Sequence, residues 1–192
     1  MFIIYLIYSI NFITLINKEK TLLEVIFMEN FNGLEFRKFE EGDIDLYTKM
    51  FKKAFDRDTQ IHLNEEEGGP PGYENGDFLR EWYLRKNSNA FAVFKNGKPI
   101  GGINVWINQN NINSLGNIFV DPDLQDNGIG LTIWKFIENK FPDTKVWRTE
   151  TPGFSSRNHH FYVNKCGFKV YKIVNPKDKS ESNFLLEKVM SI

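Results

Sequence analysis

The sequence has little of what several common classes of protein require. It contains one cysteine, Cys166, so no internal disulfide can form, and a reducing compartment such as the cytoplasm is expected. The three histidines, His62, His159 and His160, do not combine with this cysteine in the spacing of a zinc site, so we expect no metal. Lysine plus arginine number 24 and aspartate plus glutamate 25, and this balance argues against a nucleic-acid partner.

Long hydrophobic runs are also scarce. The longest, Phe2–Ile16, falls short of the roughly 20 residues that a membrane-spanning helix needs. It has no basic residue before it and no small-residue cleavage site after it, which is not typical of a signal peptide. We therefore expect residues 1–27 to be an apolar extension outside the fold and residues 28–192 to form one domain. A membrane anchor at Phe2–Ile16 is the alternative.

The remaining composition, 41% hydrophobic and 26% charged, is that of a globular domain. Alternation and helical periodicity predict a strand, two helices, three strands, a helix, a strand, a helix and two strands. This order predicts an α/β fold with a mixed, largely antiparallel central sheet flanked by helices. The predicted strands are Leu34–Phe39, Ala90–Phe94, Pro99–Ile107, Ser114–Val120, Lys145–Thr149, Phe168–Ile173 and Phe184–Val189, and the predicted helices are Ile44–Phe55, Phe78–Arg85, Gly128–Asn139 and Ser156–Lys165.

The most informative stretch is Ile118–Gly130, which reads IFVDPDLQDNGIG. A predicted strand ends at Val120, Asp-Pro breaks it, and two glycines, Gly128 and Gly130, open a helix. Glycines let backbone amides crowd together, and the first amides of a helix lie at the positive end of its dipole. Such an arrangement can hold a pyrophosphate, although two glycines can also do no more than begin a helix. The sequence has neither a P-loop nor a G-x-G-x-x-G fingerprint.

The pattern V-D-P-x-x-Q-x-x-G-x-G resembles motif A of the GNAT superfamily of N-acetyltransferases, [RQ]-x-x-G-x-[GA]. The resemblance implies the GNAT acyl-CoA N-acyltransferase fold, with acetyl-CoA as co-substrate. It also implies that the backbone of Phe119 and Val120 pairs with the pantetheine arm like an added strand. The amides expected to hold the CoA pyrophosphate are those of Gln125, Asp126, Asn127, Gly128, Ile129 and Gly130.

A second stretch, Asn158–Phe168, is similar to motif B of the same family, with an Asn at a helix start, an aromatic pair and a closing Gly-Phe. The resemblance implies that Asn158 lies near the CoA arm and that Tyr162 is the general acid that protonates the departing thiolate. The family usually separates this tyrosine from the glycine by four residues. Here the separation is five and Val163 has the usual place, so a core role for Tyr162 is an alternative, with Tyr171 as a substitute acid.

A general base is not evident, because the strand that precedes motif A contains no acid. Glu150, at the end of the next strand, is the candidate base; a water chain, with Glu150 as a solvated charge, is the alternative. In the family, the loop between the first two helices forms one wall of the acceptor site. Glu66, Glu67 and Tyr73 in this loop are therefore predicted to attract a cationic amine, unless the loop is only a solvated acidic segment.

The resemblance thus implies direct transfer of an acetyl group to a primary amine of a small molecule or peptide within a ternary complex. The alternative is a non-catalytic acyl-CoA-binding regulatory module, which would keep the phosphate loop without a working acid and base. The acceptor does not follow from the scaffold, because members of the family acetylate many kinds of amine. Dimers are common among relatives, so a homodimer is compatible with the resemblance.

Overall fold

The computed structural model describes residues 28–124, 127–178 and 181–190. Their elements follow the predicted order, with one additional strand at the start. The strands are β1 (Glu29–Phe31), β2 (Leu34–Lys38), β3 (Ser88–Lys95), β4 (Lys98–Trp106), β5 (Ile112–Val120), β6 (Val146–Pro152), β7 (Lys169–Val174) and β8 (Asn183–Val189). The helices are α1 (Ile44–Leu63), α2 (Asp77–Tyr83), α3 (Ile129–Lys140) and α4 (Ser156–His159), and a π-helical turn, His160–Lys165, continues α4.

The strands form one sheet in the order β1-β2-β3-β4-β5-β6-β8-β7. Every neighbouring pair in it is antiparallel except β5 and β6, which run parallel. The predicted fold class, mixed α/β with a largely antiparallel sheet flanked by helices, is therefore confirmed. The parallel pair is joined through α3, the crossover connection that parallel strands require.

The additional strand, β1, forms a hairpin with β2 through Asn32 and Gly33. Both turn residues have positive φ, 47° and 80°, as a type I′ turn requires. The Asn-Gly pair was the sequence signal for this hairpin. Three residues are too few for strand periodicity to show.

The first helix is longer than predicted. Periodicity of apolar residues placed its end at Phe55, whereas α1 continues to Leu63 and ends at Asn64, which has the left-handed conformation. The added turns are polar, because their inward positions are occupied by side chains such as Asp58 and His62 rather than by apolar ones.

Hydrophobic cores lie on both faces of the sheet. On one face, Trp134 of α3 packs edge-on against Trp147 of β6, with ring centroids 5.2 Å apart. On the other, Phe51 of α1 packs against Phe119 of β5 at 5.0 Å. Burial of each such side chain stabilises the fold by about 1.5–3 kcal/mol. These contacts fix α1 and α3 against the central strands.

In the part of the chain that the structure describes, no helix is long and apolar enough to cross a membrane. The predictions for residues 1–27, an extension outside the fold or an anchor at Phe2–Ile16, lie outside the described residues and stay predictions.

Candidate functional site

The parallel strands β5 and β6 separate along their length. Their pairing covers Ile112–Ser114 opposite Val146–Arg148, and in the described residues no β6 partner stands opposite residues 115–120. On its other edge, β6 pairs with β8 along its whole length, Val146–Pro152. A wedge-shaped gap therefore opens between residues 115–120 of β5 and residues 149–152 of β6. We refer to it as the β5–β6 opening.

A β-bulge helps to produce this opening. In the β4–β5 register, Asn104 is opposite Asn117 and Val105 is opposite Leu115, so Gly116 is the extra residue of β5. A bulge bends its strand and increases the local twist. A Cβ at Gly116 would lie 2.3 Å from Cζ3 of Trp106, so the close approach of this ring requires glycine.

At the end of β5 beside the opening, the side chains are packed in the protein and only the backbone is available to a ligand. Phe119 is buried among the aromatic rings of Tyr47, Phe51 and Tyr83, whereas Val120 is buried in the core on the opposite face. This alternation is that of a regular strand. The side chains of both residues are engaged in packing, which fits the expected backbone role for them.

The helix α3 begins at Ile129, after the loop of residues 121–128 that follows β5, and Gly128 is its N-cap at φ 72°. The carbonyl oxygen of Gly128 accepts a hydrogen bond from the Thr132 amide at 3.0 Å. No atom of the described residues lies within 4 Å of a Cβ added at Gly128, so those residues leave space beside the helix N-terminus. The next residue, Ile129, is buried and anchors the first turn.

The loop before this helix is only partly described. The Asn127 side-chain amide donates a hydrogen bond to the Leu124 carbonyl at 3.2 Å, and the residue is exposed. The predicted phosphate ligands Gln125 and Asp126 lie outside the described residues. Their roles stay predictions.

The turn that leads into the loop is fixed by α1, a contact that sequence reasoning did not predict. Lys53 donates hydrogen bonds to Asp121 at 3.0 Å and to Asp123 at 2.6 Å. Pairing with Asp123 and then with Asp121 raises the pKa of the Lys53 ammonium. Lys53 is exposed, so solvent screens these pairs, and their clearest consequence is to place α1 beside the end of β5.

The second glycine of the motif has a packing role. A Cβ at Gly130 would lie 3.1 Å from Cε2 of Phe161, on the π-helical turn that follows α4. Gly130 therefore allows α3 and this turn to approach closely. This contact connects the phosphate loop to the segment that carries Tyr162.

The π-helical turn accounts for the unusual spacing of Tyr162 and Gly167. The Cys166 amide donates to the Phe161 carbonyl at 3.0 Å, five residues back rather than four, so the turn accommodates one extra residue. Tyr162 is consequently buried, at 8% exposure, and Val163 is exposed, at 36%. The extra residue therefore turns Val163, and not Tyr162, away from the interior.

Tyr162 has the surroundings of a proton donor. Burial raises the pKa of its phenol, and Cys166 raises it further, whereas a hydrogen bond with Thr149 of β6 lowers it. The net shift is upward, so the phenol keeps its proton at neutral pH. Burial also raises the pKa of the neighbouring Cys166 thiol to about 12, which leaves this cysteine unreactive.

The first turn of α4 holds Asn158 beside the same elements. Its backbone amide donates to the hydroxyl of Ser155 at 3.4 Å, and Ser155, the N-cap, is fully buried. Asn158 itself is half-buried. An Asn at this position keeps a polar side chain at the surface of an otherwise fixed turn.

Sequence reasoning missed a polar contact on β5. Tyr83 of α2 donates its phenolic hydrogen to the side-chain oxygen of Asn117, at 3.0 Å. Burial raises the pKa of Tyr83 well above its usual value, and Tyr162 adds to this shift. The two phenols therefore interact electrostatically although α2 and α4 are far apart in sequence. The sequence signal that could have predicted this contact is Asn117, a polar residue in the strand that precedes motif A.

The candidate base Glu150 is exposed on β6, where the flanking Thr149 and Thr151 are buried. It therefore points to the face of the sheet opposite to theirs. The structure shows no ion pair or hydrogen bond for it among the described residues, and its catalytic role stays a prediction.

Two of the three residues predicted to attract the acceptor make polar contacts within the protein. Tyr73 is buried and donates its hydroxyl to Asp56 at 3.0 Å, while Glu67 pairs with Lys52 at 2.8 Å. Glu66 is exposed in a cleft formed with α1. The structure thus gives Tyr73 and Glu67 partners within the protein, although Glu67 remains 70% exposed like the exposed Glu66. The acceptor roles of all three stay predictions.

Comparison with known proteins identifies the family of this chain. The sequence model of the Acetyltransferase (GNAT) family matches residues 45–168. The Bacillus subtilis protein YrkN is 37% identical over 137 residues, which cover 71% of this chain and 73% of YrkN.

Solved structures of low sequence identity share the fold. The PaiA N-acetyltransferase of Thermoplasma acidophilum, in complex with coenzyme A, has a TM-score of 0.64 at 19% identity, covering 82% of this chain and 99% of that one. The ribosomal-protein-S18-alanine N-acetyltransferase of Escherichia coli has a TM-score of 0.63 at 16% identity, covering 83% and 95%. The spermidine N-acetyltransferase of Vibrio cholerae, in complex with CoA and spermine, has 0.60 at 15%, covering 82% and 95%. The extent of the family match, together with the relation to YrkN, shows that this chain belongs to the GNAT acetyltransferase family.

Proposed function

We propose that the protein is an acetyl-CoA-dependent N-acetyltransferase that transfers the acetyl group to a primary amine of a small molecule or peptide within a ternary complex. The observation that supports this most strongly is the buried Tyr162 on a π-helical turn next to β6, at the β5–β6 opening. A protein that only bound acyl-CoA would have no need of a proton donor there. We also propose that it acts in the cytoplasm, given its single cysteine.

The co-substrate would bind along the β5–β6 opening. The backbone of β5 at residues 115–120 borders the gap, so an extended pantetheine arm can lie there as an added strand. Its pyrophosphate would lie at the N-terminus of α3, where Gly128 leaves open space and the helix dipole favours an anion. Asn127 lies at the exposed edge of this loop.

The chemistry at the thioester needs a proton for the departing thiolate. Tyr162 can supply it, because burial keeps its phenol protonated and protonation of the leaving group lowers the barrier. The hydrogen bond between Tyr162 and Thr149 fixes the phenol beside β6. Glu150, or water ordered near it, is the group that the sequence predicts to accept the amine proton. Among the described residues, Glu150 has no hydrogen bond or ion pair that connects it with this phenol.

Proteins of this fold include enzymes named for spermidine and for the alanine of a ribosomal protein. We therefore propose a test panel of polyamines, amino acids and peptides with free amino termini. Acetyl transfer is measured by the release of free CoA thiol, and the acetylated product is identified by mass spectrometry. Turnover with at least one class of amine, lost in Tyr162→Phe, is the expected result.

The non-catalytic module makes a different prediction for the same panel. Acetyl-CoA would bind, but the protein would release no CoA above the uncatalysed rate with any amine. That result, with a folded protein that binds acetyl-CoA, would overturn the proposed catalysis and leave only the binding function.

A further inference from the structure

The inward stripe of α1 changes from apolar to ionisable along its length. Ile44, Tyr47 and Phe51 are buried in the core, and Phe55 packs on Phe51 with ring centroids 4.7 Å apart. The same helical spacing then continues through two residues, Asp58 and His62. An amphipathic helix normally ends its buried stripe with apolar residues, so ionisable side chains at these positions require an explanation.

The course of α1 carries these residues past β5. Its start lies near β2, through the ion pair between Arg37 and Asp43 at 2.8 Å, and its middle lies over β5, through Phe51 and Phe119. At 1.5 Å per residue, Asp58 is about 10 Å further along the helix than Phe51. The last two turns of α1 therefore extend toward the β5–β6 opening.

Asp58 and His62 form a pair that is largely protected from solvent. His62 Nε2 lies 3.4 Å from Asp58 Oδ1, and the two side chains are 11% and 19% exposed. Nε2 is itself buried and has no hydrogen-bond partner in the described residues. Buried polar atoms are normally satisfied, so an unpaired ring nitrogen beside a carboxylate requires an explanation.

Burial is the main cause of the raised pKa of Tyr162, and the Asp58 carboxylate adds a smaller upward effect, so the pair lies within electrostatic reach of this phenol. Asp58 is on α1, which packs on one face of the sheet, and Tyr162 is on the turn after α4, which packs with the core of the other face. A charge on one face can act on a phenol of the other most directly through the gap between β5 and β6.

We propose that Asp58 and His62 form the acceptor-side proton-transfer pair of the enzyme, with His62 as the general base and Asp58 as the residue that orients it. This inference rests on the proposed transferase function and names the base that the sequence did not reveal. Imidazole is the side chain best suited to exchange protons near neutral pH, and the Asp58 carboxylate 3.4 Å away can hold the ring in one orientation. The acceptor is accordingly an amine that arrives as an ammonium ion.

The two protons that the ammonium loses in the reaction are taken up by His62 and Tyr162. His62 takes one proton from the ammonium, and the freed lone pair of nitrogen forms the new bond to the thioester carbonyl carbon. When the C–S bond breaks, sulfur receives the proton of Tyr162, and the second proton lost from nitrogen restores the phenol. His62 returns its proton to solvent, so each turnover produces the amide, free CoA thiol and one released proton.

The test compares His62→Gln with His160→Gln as a matched control, because His160 is exposed and its ring is hydrogen-bonded to Asn164 on the same helical turn. Each variant is assayed with an alkylamine from the panel, which is an ammonium ion at pH 7, and with methoxyamine, which is neutral. Asp58→Asn serves as the second variant if His62→Gln fails to fold. Thermal unfolding and acetyl-CoA affinity are measured for every protein.

We expect His62→Gln to lower kcat/KM for the alkylamine by at least about tenfold, within the range for general bases. Activity with methoxyamine should fall far less, because this acceptor has no proton to lose before attack. Equal activity of His62→Gln and wild type, or an equal loss with both acceptors in a folded protein, would overturn the assignment. Absence of transfer by the wild type to every amine would instead contradict the proposed function itself.

Discussion

At the scale of single residues, Tyr162 carries the most specific prediction. Tyr162→Phe keeps the ring that packs against Phe161 and Phe168 but removes the phenolic proton. We expect kcat to fall by about 10²-fold or more, with acetyl-CoA affinity and thermal stability close to those of the wild type. Steady-state kinetics and calorimetry measure these quantities.

Tyr171→Phe is the control for this substitution, because Tyr171 was the alternative acid. The side chain is 49% exposed on β7 and lies under the guanidinium of Arg148. Its loss should leave kcat unchanged. A larger loss of kcat in Tyr171→Phe than in Tyr162→Phe would reverse the assignment.

The pH dependence of kcat tests the same residue. A phenol donates a proton only in its protonated form, and burial raises the pKa of Tyr162 above the ordinary value. Deprotonation of Tyr162 should therefore not lower kcat between pH 7 and about pH 10, the usual tyrosine pKa. A decline of kcat within this range that is absent in Tyr162→Phe would contradict the role of the buried phenol.

The sequence identified Tyr162 but could not determine its orientation. The spacing of Tyr162 and Gly167 differs from the family pattern by one residue, and a regular helix would then have turned the tyrosine by about 100°. In the structure, a π-helical turn accommodates the extra residue and keeps Tyr162 buried. Such a turn depends on packing around it, here on Phe161 against Gly130, which sequence periodicity does not reveal.

At the scale of secondary-structure elements, the bulge in β5 determines the shape of the opening. Gly116→Ala places a Cβ against the ring of Trp106, so the ring must move or the bulge must straighten. We expect a loss of about 1–3 kcal/mol in the free energy of unfolding, measured by urea denaturation, together with weaker binding of acetyl-CoA.

Gly42→Ala makes the same chemical change at a position with open space around it. Its effect should stay within about 0.5 kcal/mol. If the two substitutions change the free energy of unfolding equally, the close approach of Trp106 does not require glycine at position 116.

The end of α1 shows why the base that we propose was not predicted. Sequence periodicity ended the helix at Phe55 because the following inward positions are polar. The candidate base was sought on the strands because the family resemblance suggests an acid on the strand before motif A. In the structure α1 continues to Leu63 and brings Asp58 and His62 together. Ionisable residues that keep the helical spacing of an apolar stripe are the signal that could have found them.

At the scale of the whole molecule, the order of helices and strands along the chain and the fold class could be predicted because alternation, turn residues and glycine motifs agree along the chain. The separation of β5 and β6 could not, since it depends on which strands become neighbours. The contacts of the loop predicted to attract the acceptor could not be predicted either, because Tyr73 and Glu67 contact α1 residues distant in sequence.

The domain limits remain a proposal at this scale. The family match lies within residues 45–168, and the described sheet begins at Glu29. Both fit a domain formed by residues 28–192 with residues 1–27 as an extension.

The central claim is that acetyl-CoA binds along the β5–β6 opening with its pyrophosphate at the N-terminus of α3. Calorimetric titration of the full chain with acetyl-CoA tests it most directly, using Gly128→Glu to place a negative charge beside the helix N-terminus. Gly128→Asn is the control, because Asn tolerates the positive φ of this position without adding charge. The account predicts binding by the wild type, a Kd raised at least about tenfold in Gly128→Glu, the effect of roughly 1.4 kcal/mol, and a much smaller change in Gly128→Asn. A folded wild type that binds no acetyl-CoA, or a Gly128→Glu variant that binds as tightly as the wild type, would contradict it.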